Sequence, residues 1–241
     1  MSNFLSGPVA VAAQTLHSSS ADQYHKLGEL IFANDGRAYR YCKAGEALVA
    51  GNVKQNAAED TDTENLTAVA AAVGDLTIVS TTTVTVTANE YAEGFVLISV
   101  TPGVGRQYKI KGHIAYTTAA PTFNLDNDSI RVALTTTSRF DALANPYAGV
   151  IIQPTSRTGA PVGVAVHPIA SAEFGWLQVL GVANVLADGA LSVGLDVVSS
   201  DATAGAVEVI ADVAPELLPR VGVAVTAVSS TEYGAVKLSL L

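Results

Sequence analysis

The chain has 241 residues and a formal net charge of −9; 49% of it is hydrophobic and only 15% charged. High hydrophobicity with low charge excludes a disordered chain, and the lone Cys42 excludes an intrachain disulfide framework. With 13 Lys and Arg against 22 Asp and Glu, a general phosphate-binding surface is disfavoured, so no direct nucleic-acid binding is expected.

No apolar run reaches the ~18 residues of a membrane-spanning helix, so no membrane association is expected. The hydrophobic share comes from Ala and Val, while aromatics make up 6%. Val and Thr suit pleated sheets, which points to an all-β chain. So few charges leave little polar surface for a monomer, and an exterior buried against copies of itself or a partner is expected. Residues 1–13 carry no Lys or Arg and do not read as an export signal.

In chain order, residues 1–26 lack periodicity and read as an extended N-terminal arm, set either to fray or to order on a neighbouring subunit. Residues 27–75 read as a small β unit with a short helix. Leu30-Ile31-Phe32, the turn Asn34-Asp35-Gly36 and Ala38–Cys42 form a hairpin. Tyr39 and Tyr41 share one face of it, Arg40 and Cys42 the other. Lys43-Ala44-Gly45, Leu48–Gly51 and Val53 make a turn and a further short strand. Thr61 and Glu64 fit a capping box, and Leu66, Val69, Ala70 and Val73 follow at helical spacing up to Gly74.

Residues 76–241 read as the main β domain, a barrel, β-tulip or sandwich-like body. Val84 and Val86 alternate with threonines. Tyr108, Ile110, Gly112, Ile114 and Tyr116 are expected on one strand face, with His113 on the polar opposite face. Ile130, Val132 and Leu134 also alternate. Val221–Val225 and 235–241 read as closing strands. No repeated strand motif is evident, which weighs against a fibre architecture.

Chemistry-bearing patterns are sparse. His17, His25, His113 and His167 are scattered without metal-ligand spacing. Cys42 reads as a small buried hydrophobe. Asp126-Asn127-Asp128 opens like a calcium loop but lacks its glycine and distal glutamate, so it reads as an acidic turn. Gly103-Val104-Gly105 precedes a strand rather than the helix a phosphate loop needs. Phe174 and Trp176 share a face as core or interface anchors. No catalytic residue, cofactor or metal is expected.

Three segments carry a resemblance. Gly36-Arg-Ala-Tyr39-Arg-Tyr-Cys-Lys43-Ala-Gly45 with Leu48-Val-Ala-Gly51 is similar to the tyrosine-rich strand and turn of head decoration (cement) proteins of tailed bacteriophages. Gly163-Val-Ala-Val166 with Phe174-Gly-Trp176-Leu-Gln178 resembles a hairpin of those proteins, though Val179-Leu180-Gly181 departs from the pattern. Val185–Gly194 resembles a connecting segment. The resemblance implies a non-catalytic virion protein, oligomeric and often trimeric. It would bind the major capsid protein on the outer surface of the assembled head and stabilise the shell. On this reading Phe4, Leu5, Val9, Tyr24, Tyr39, Tyr41, Phe174 and Trp176 are the candidate oligomer or capsid contacts. A tail or head-fibre spike, or a surface carbohydrate-binding module, is the alternative.

Overall fold

The computed structural model describes residues 14–156, 158–210 and 219–241. The chain is all-β. In chain order the strands are β1 (Leu30–Phe32), β2 (Ala38–Lys43), β3 (Val53–Gln55), β4 (Leu66–Thr67), β5 (Thr77–Val79) and β6 (Val84–Val86). Then come β7 (Phe95–Val100), β8 (Gln107–Gly112), β9 (Tyr116–Ala119), β10 (Thr122–Leu125), β11 (Arg139–Leu143) and β12 (Ile151–Ile152). The last are β13 (Pro161–Ala165), β14 (Phe174–Leu186), β15 (Asp196–Ser199), β16 (Val207–Val209), β17 (Arg220–Ala224) and β18 (Tyr233–Ser239).

The chain folds as two compact units, a body of Met1–Ala58 with Pro146–Leu241, and a second unit, Glu59–Asn145. This corrects the expected division at residues 75 and 76, because the strands after Pro146 pair with those before Ala58 (Ile151 opposite Gln55, Val164 opposite Val53).

The expected helix is absent. Only Thr61–Thr63 form a 3-10 turn, capped by Asp60, whose carboxylate accepts from the Asp62 N–H. Asn65 then turns into the left-handed region at φ 52°. Beyond it the buried residues are Leu66 and Ala68, while Val69 and Val73 are exposed. That period of two fits a strand. Leu66 and Thr67 pair with Phe140 and Arg139, and Ala68 and Ala71 bridge to Ser80 and Leu134. Glu64 does not reach back to a cap; its carboxyl shares a hydrogen bond with Glu59, which holds its pKa above the ordinary value.

In the second unit, β4-β11-β7-β8-β10-β5 form one sheet and β6-β9 a ribbon. Their core includes Leu66, Ile78, Val96, Tyr108, Phe123 and Phe140. The Ile130, Val132, Leu134 stretch forms no strand; only an isolated bridge from Leu134 to Ala71 remains.

The body carries a ten-stranded sheet ordered β12-β3-β13-β14-β18-β17-β15-β16, with β2 on β14 and β1 on β2. The β1–β2 hairpin follows from its turn: Gly36 takes φ +85°, and Asp35 accepts from the Arg37 N–H and Nε.

The long β14 belongs to two successive barrels. Its first half joins β2, β13, β3 and β12, and a parallel bridge from Val150 to Ala44 brings the curl back to the end of β2. Its second half joins β18, β17, β15 and β16, and the bridge from Val207 to Ala187 closes that curl in the same way. Between the halves, the buried Gln178 amide donates to the Leu180 and Val182 carbonyls across the register shift.

The barrels repeat one another. Lys43, Cys42 and Arg40 face Phe174, Gly175 and Leu177; Leu186, Val185 and Ala183 face Tyr233, Gly234 and Val236 in the same order. The expectation of no repeat is thereby corrected. Each bridge ties the last strand of its curl back to the first and shortens the open sheet edge that invites aggregation.

Candidate functional site: a strapped aromatic face and a buried amine

The alternation of β2 places Tyr39 and Tyr41 on one face, and that of β14 adds Phe174 and Trp176 to it. All four are buried in one cluster with Ile31. Tyr41 stacks on Phe174 at 5.9 Å and meets the edge of Trp176 at 4.9 Å. These side chains, expected at an oligomer or capsid interface, are interior, because residues 14–29 lie across them. Of the other candidates, Tyr24 is 51% exposed on that strap, while Phe4, Leu5 and Val9 lie outside the described residues.

The described part of the expected arm, residues 14–26, therefore orders on its own body. Ser20 exchanges backbone hydrogen bonds with Phe174 at 3.1 and 2.8 Å. The Gln14 amide nitrogen donates to the Phe174 carbonyl at 2.8 Å, and its oxygen accepts from the Tyr41 hydroxyl at 2.6 Å. That hydroxyl in turn accepts from the Tyr24 N–H at 3.2 Å. Burial raises the Tyr41 pKa. Ser19 donates to the Glu173 carboxylate, and Leu16 and Leu27 pack on the rings.

His25 drops in between, its ring 5.1 Å from Tyr41 and 5.0 Å from Trp176, with Nδ1 3.2 Å from Glu29 Oε1. His25 Nε2 and Trp176 Nε1 are buried without a hydrogen-bond partner.

On the inner side of the same strands lies a second unusual feature. Cys42, Ala44, Leu48, Val150, Val162 and Leu177 make the small core of the first barrel. Lys54, paired with Ile152 and Gly163, is fully buried, and its Nζ has no hydrogen-bond partner. Loss of solvation lowers its pKa from 10.5 to about 8, an effect that nearby Glu46 partly opposes. Burial pushes the Cys42 thiol up to about 12, which leaves it an inert thiol. In the second barrel the matching positions are Val185 and Val197, both fully buried in apolar surroundings.

Elsewhere the geometry is structural. His113 is buried rather than on a polar face, because β8 ends at Gly112 and the chain turns there, leaving Ile114 69% exposed instead. Its Nε2 accepts from the Tyr91 N–H at 3.1 Å and its Nδ1 donates to the Ile114 carbonyl at 2.8 Å. Asp128 accepts from the Lys109 N–H and pairs with Arg131, which makes 126–128 a tied acidic turn. Among the described residues no group of three or more His, Cys, Asp or Glu side chains could hold a metal ion. No helix of the described residues is long and apolar enough to cross a membrane.

Gln14 and Lys54 were not singled out by sequence, and His25 entered only as one of four scattered histidines. Lys54 becomes conspicuous only beside Val197, once the repeat is aligned. Comparison with protein-family models, curated proteins and solved structures gives no match.

Proposed function

We propose that the chain is a non-catalytic head decoration protein of a tailed bacteriophage, binding as an oligomer, a trimer by preference, to the major capsid protein on the outside of the assembled shell. The observation that carries this reading is the resemblance of the three segments. It is supported by where they fall: 36–51 on β2 and its turn, 163–178 on the adjoining β13 and β14, and 185–194 on the second barrel's counterpart of 42–51. Exposed Val193, Leu195 and Val225, brought together by the Gly194–Ala224 and Ala224–Leu195 hydrogen bonds, offer apolar surface of the kind an assembly covers. Many modest contacts repeated over a lattice add through avidity.

Light scattering followed by co-sedimentation with undecorated capsids tests the reading. An oligomer that pellets with capsids supports it, and a monomer that stays in the supernatant refutes it. The tandem barrels favour a second reading, a tail or head-fibre component, since fibres are built from repeated β motifs. Antibody labelling of virions separates the two, as label on the head faces or on the tail.

A further inference from the structure

We infer that residues 59–145 are a module inserted into the first of two duplicated barrels, and that the two-barrel body folds without it. The duplication is legible residue by residue. The register of Val53 and Lys54 against Val164 and Gly163 returns as Asp196 and Val197 against Val223 and Gly222. Gln55 and Lys54 face Ile151 and Ile152, as Val198 and Val197 face Glu208 and Val209. The isolated bridge from Leu48 to Ile169 recurs from Leu191 to Val228.

Sequence follows structure. Val162-Gly-Val-Ala-Val166 recurs as Val221-Gly-Val-Ala-Val225, and Ser171-Ala-Glu-Phe-Gly175 as Ser230-Thr-Glu-Tyr-Gly234. Even the strained backbone repeats: Ala172 and Thr231, neither a glycine, take φ 66° and 69° at the same position. Two unrelated hairpins have no reason to share a conformation that costs an L residue about 1 kcal/mol or more.

Against this template one connection stands out. In the second barrel, β15 passes to β16 through Ser200–Ala206 alone. In the first, β3 passes to β12 only after the whole of the second unit. The two ends of that excursion return to paired residues, Gln55 and Ile151, which is the geometry an insertion needs. The second unit also supplies its own core: every buried member lies between Leu66 and Ala142, and each body cluster lies wholly outside that range. The inference stands on the fold alone and goes beyond the capsid reading.

The test uses the full chain. Trp176 is the only tryptophan and belongs to the body, so its fluorescence reports the body alone. Phe140, fully buried in the module, is replaced in Phe140→Ala, and hydrogen exchange is read peptide by peptide. Exchange across 66–142 is expected to quicken by about a hundredfold or more, while the Trp176 denaturation midpoint stays in place. A second variant replaces residues 59–145 alone with a short Gly-Ser linker, keeping Tyr147, whose carbonyl accepts from the Lys43 N–H. It is expected to give a cooperative Trp176 transition. A Trp176 midpoint that falls along with the module in Phe140→Ala, or a linker variant with no cooperative transition, overturns the inference.

Discussion

Lys54 gives the sharpest energetic prediction. In the folded body its amine is buried near Glu46 and Cys42 without a hydrogen-bond partner, and its pKa falls from 10.5 to about 8. At about 1.4 kcal/mol per pH unit, this difference is worth roughly 3 kcal/mol. The direction follows from proton counts. Below pH 8 both folded and unfolded chains carry the proton, and the folded state bears the full cost of a buried ammonium. Between about 8 and 10.5 the unfolded chain still holds a proton that the folded chain has released, so stability rises with pH across that window. Lys54→Met keeps the volume and removes the charge. The variant is expected to be more stable than the parent by up to about 3 kcal/mol at pH 7, with the gain shrinking as pH climbs from 8 towards 10.5. Cys42 acts oppositely. Its thiol rises from 9.0 to about 12 on folding, so the stability it contributes is present below pH 9 and fades as pH rises through 12. Lys54 itself holds the Cys42 pKa down somewhat, so the thiol contribution is common to both chains only below pH 9, where it is protonated folded and unfolded alike. Urea unfolding followed by Trp176 fluorescence at pH 7, 8, 9 and 10 measures the gain. A Met variant less stable than the parent at pH 7, or a gain that stays constant with pH, would refute the assignment of a buried amine that Glu46 compensates only in part.

Other expectations follow from single contacts. Tyr41→Phe removes the hydroxyl that bonds Gln14 and Tyr24; it should cost about 1–2 kcal/mol and quicken hydrogen exchange in residues 14–27 before that in β14. Gly51 and Gly194 occupy the same turn of the two barrels at φ +77° and +84°, but a Cβ at Gly51 would lie 2.5 Å from the Tyr233 ring, whereas at Gly194 it meets nothing within 4 Å. Gly194→Ala should therefore cost about 1 kcal/mol of backbone strain and Gly51→Ala about 2 kcal/mol more, read as the difference between their urea midpoints; equal losses would contradict the steric account. His113→Phe keeps a ring beside Phe123 and Tyr116 but strands the Tyr91 N–H and the Ile114 carbonyl. It should destabilise the second unit by about 1–3 kcal/mol, seen as an earlier loss of the tyrosine near-ultraviolet circular dichroism signal.

Where local pattern and tertiary pairing agree, the fold could be read in advance. The β1–β2 hairpin has alternation, a glycine turn and a partner close in sequence, so every level points the same way. The segment after Thr61 failed because Leu66, Val69 and Val73 fit a helix as well as Leu66 and Ala68 fit a strand. Only the distant partners Phe140, Ser80 and Leu134 decide between the two. His113 failed for a related reason: alternation holds only while the strand lasts, and nothing local marks its end at Gly112.

The site shows the same boundary between parity and placement. That Tyr39 with Tyr41, and Phe174 with Trp176, share faces follows from a period of two. Which side of a sheet is then covered depends on a strap that binds through Gln14, Ser19, Ser20, Tyr24 and His25 rather than through any periodic feature. The second barrel shows what that strap does. At the positions of Tyr41, Phe174 and Trp176 it carries Asn184, Tyr233 and Ala235, with Asn184 and Tyr233 exposed. There one ring, Tyr233, stays half-exposed while Asn184 and Ala235 replace the Tyr41 and Trp176 rings, which in the first barrel a strap removes from water. The aromatic face is thus a product of residues 14–29 as much as of β2 and β14. The same comparison makes Lys54 stand out, since the sister barrel fills that position with Val197 and needs no charge there.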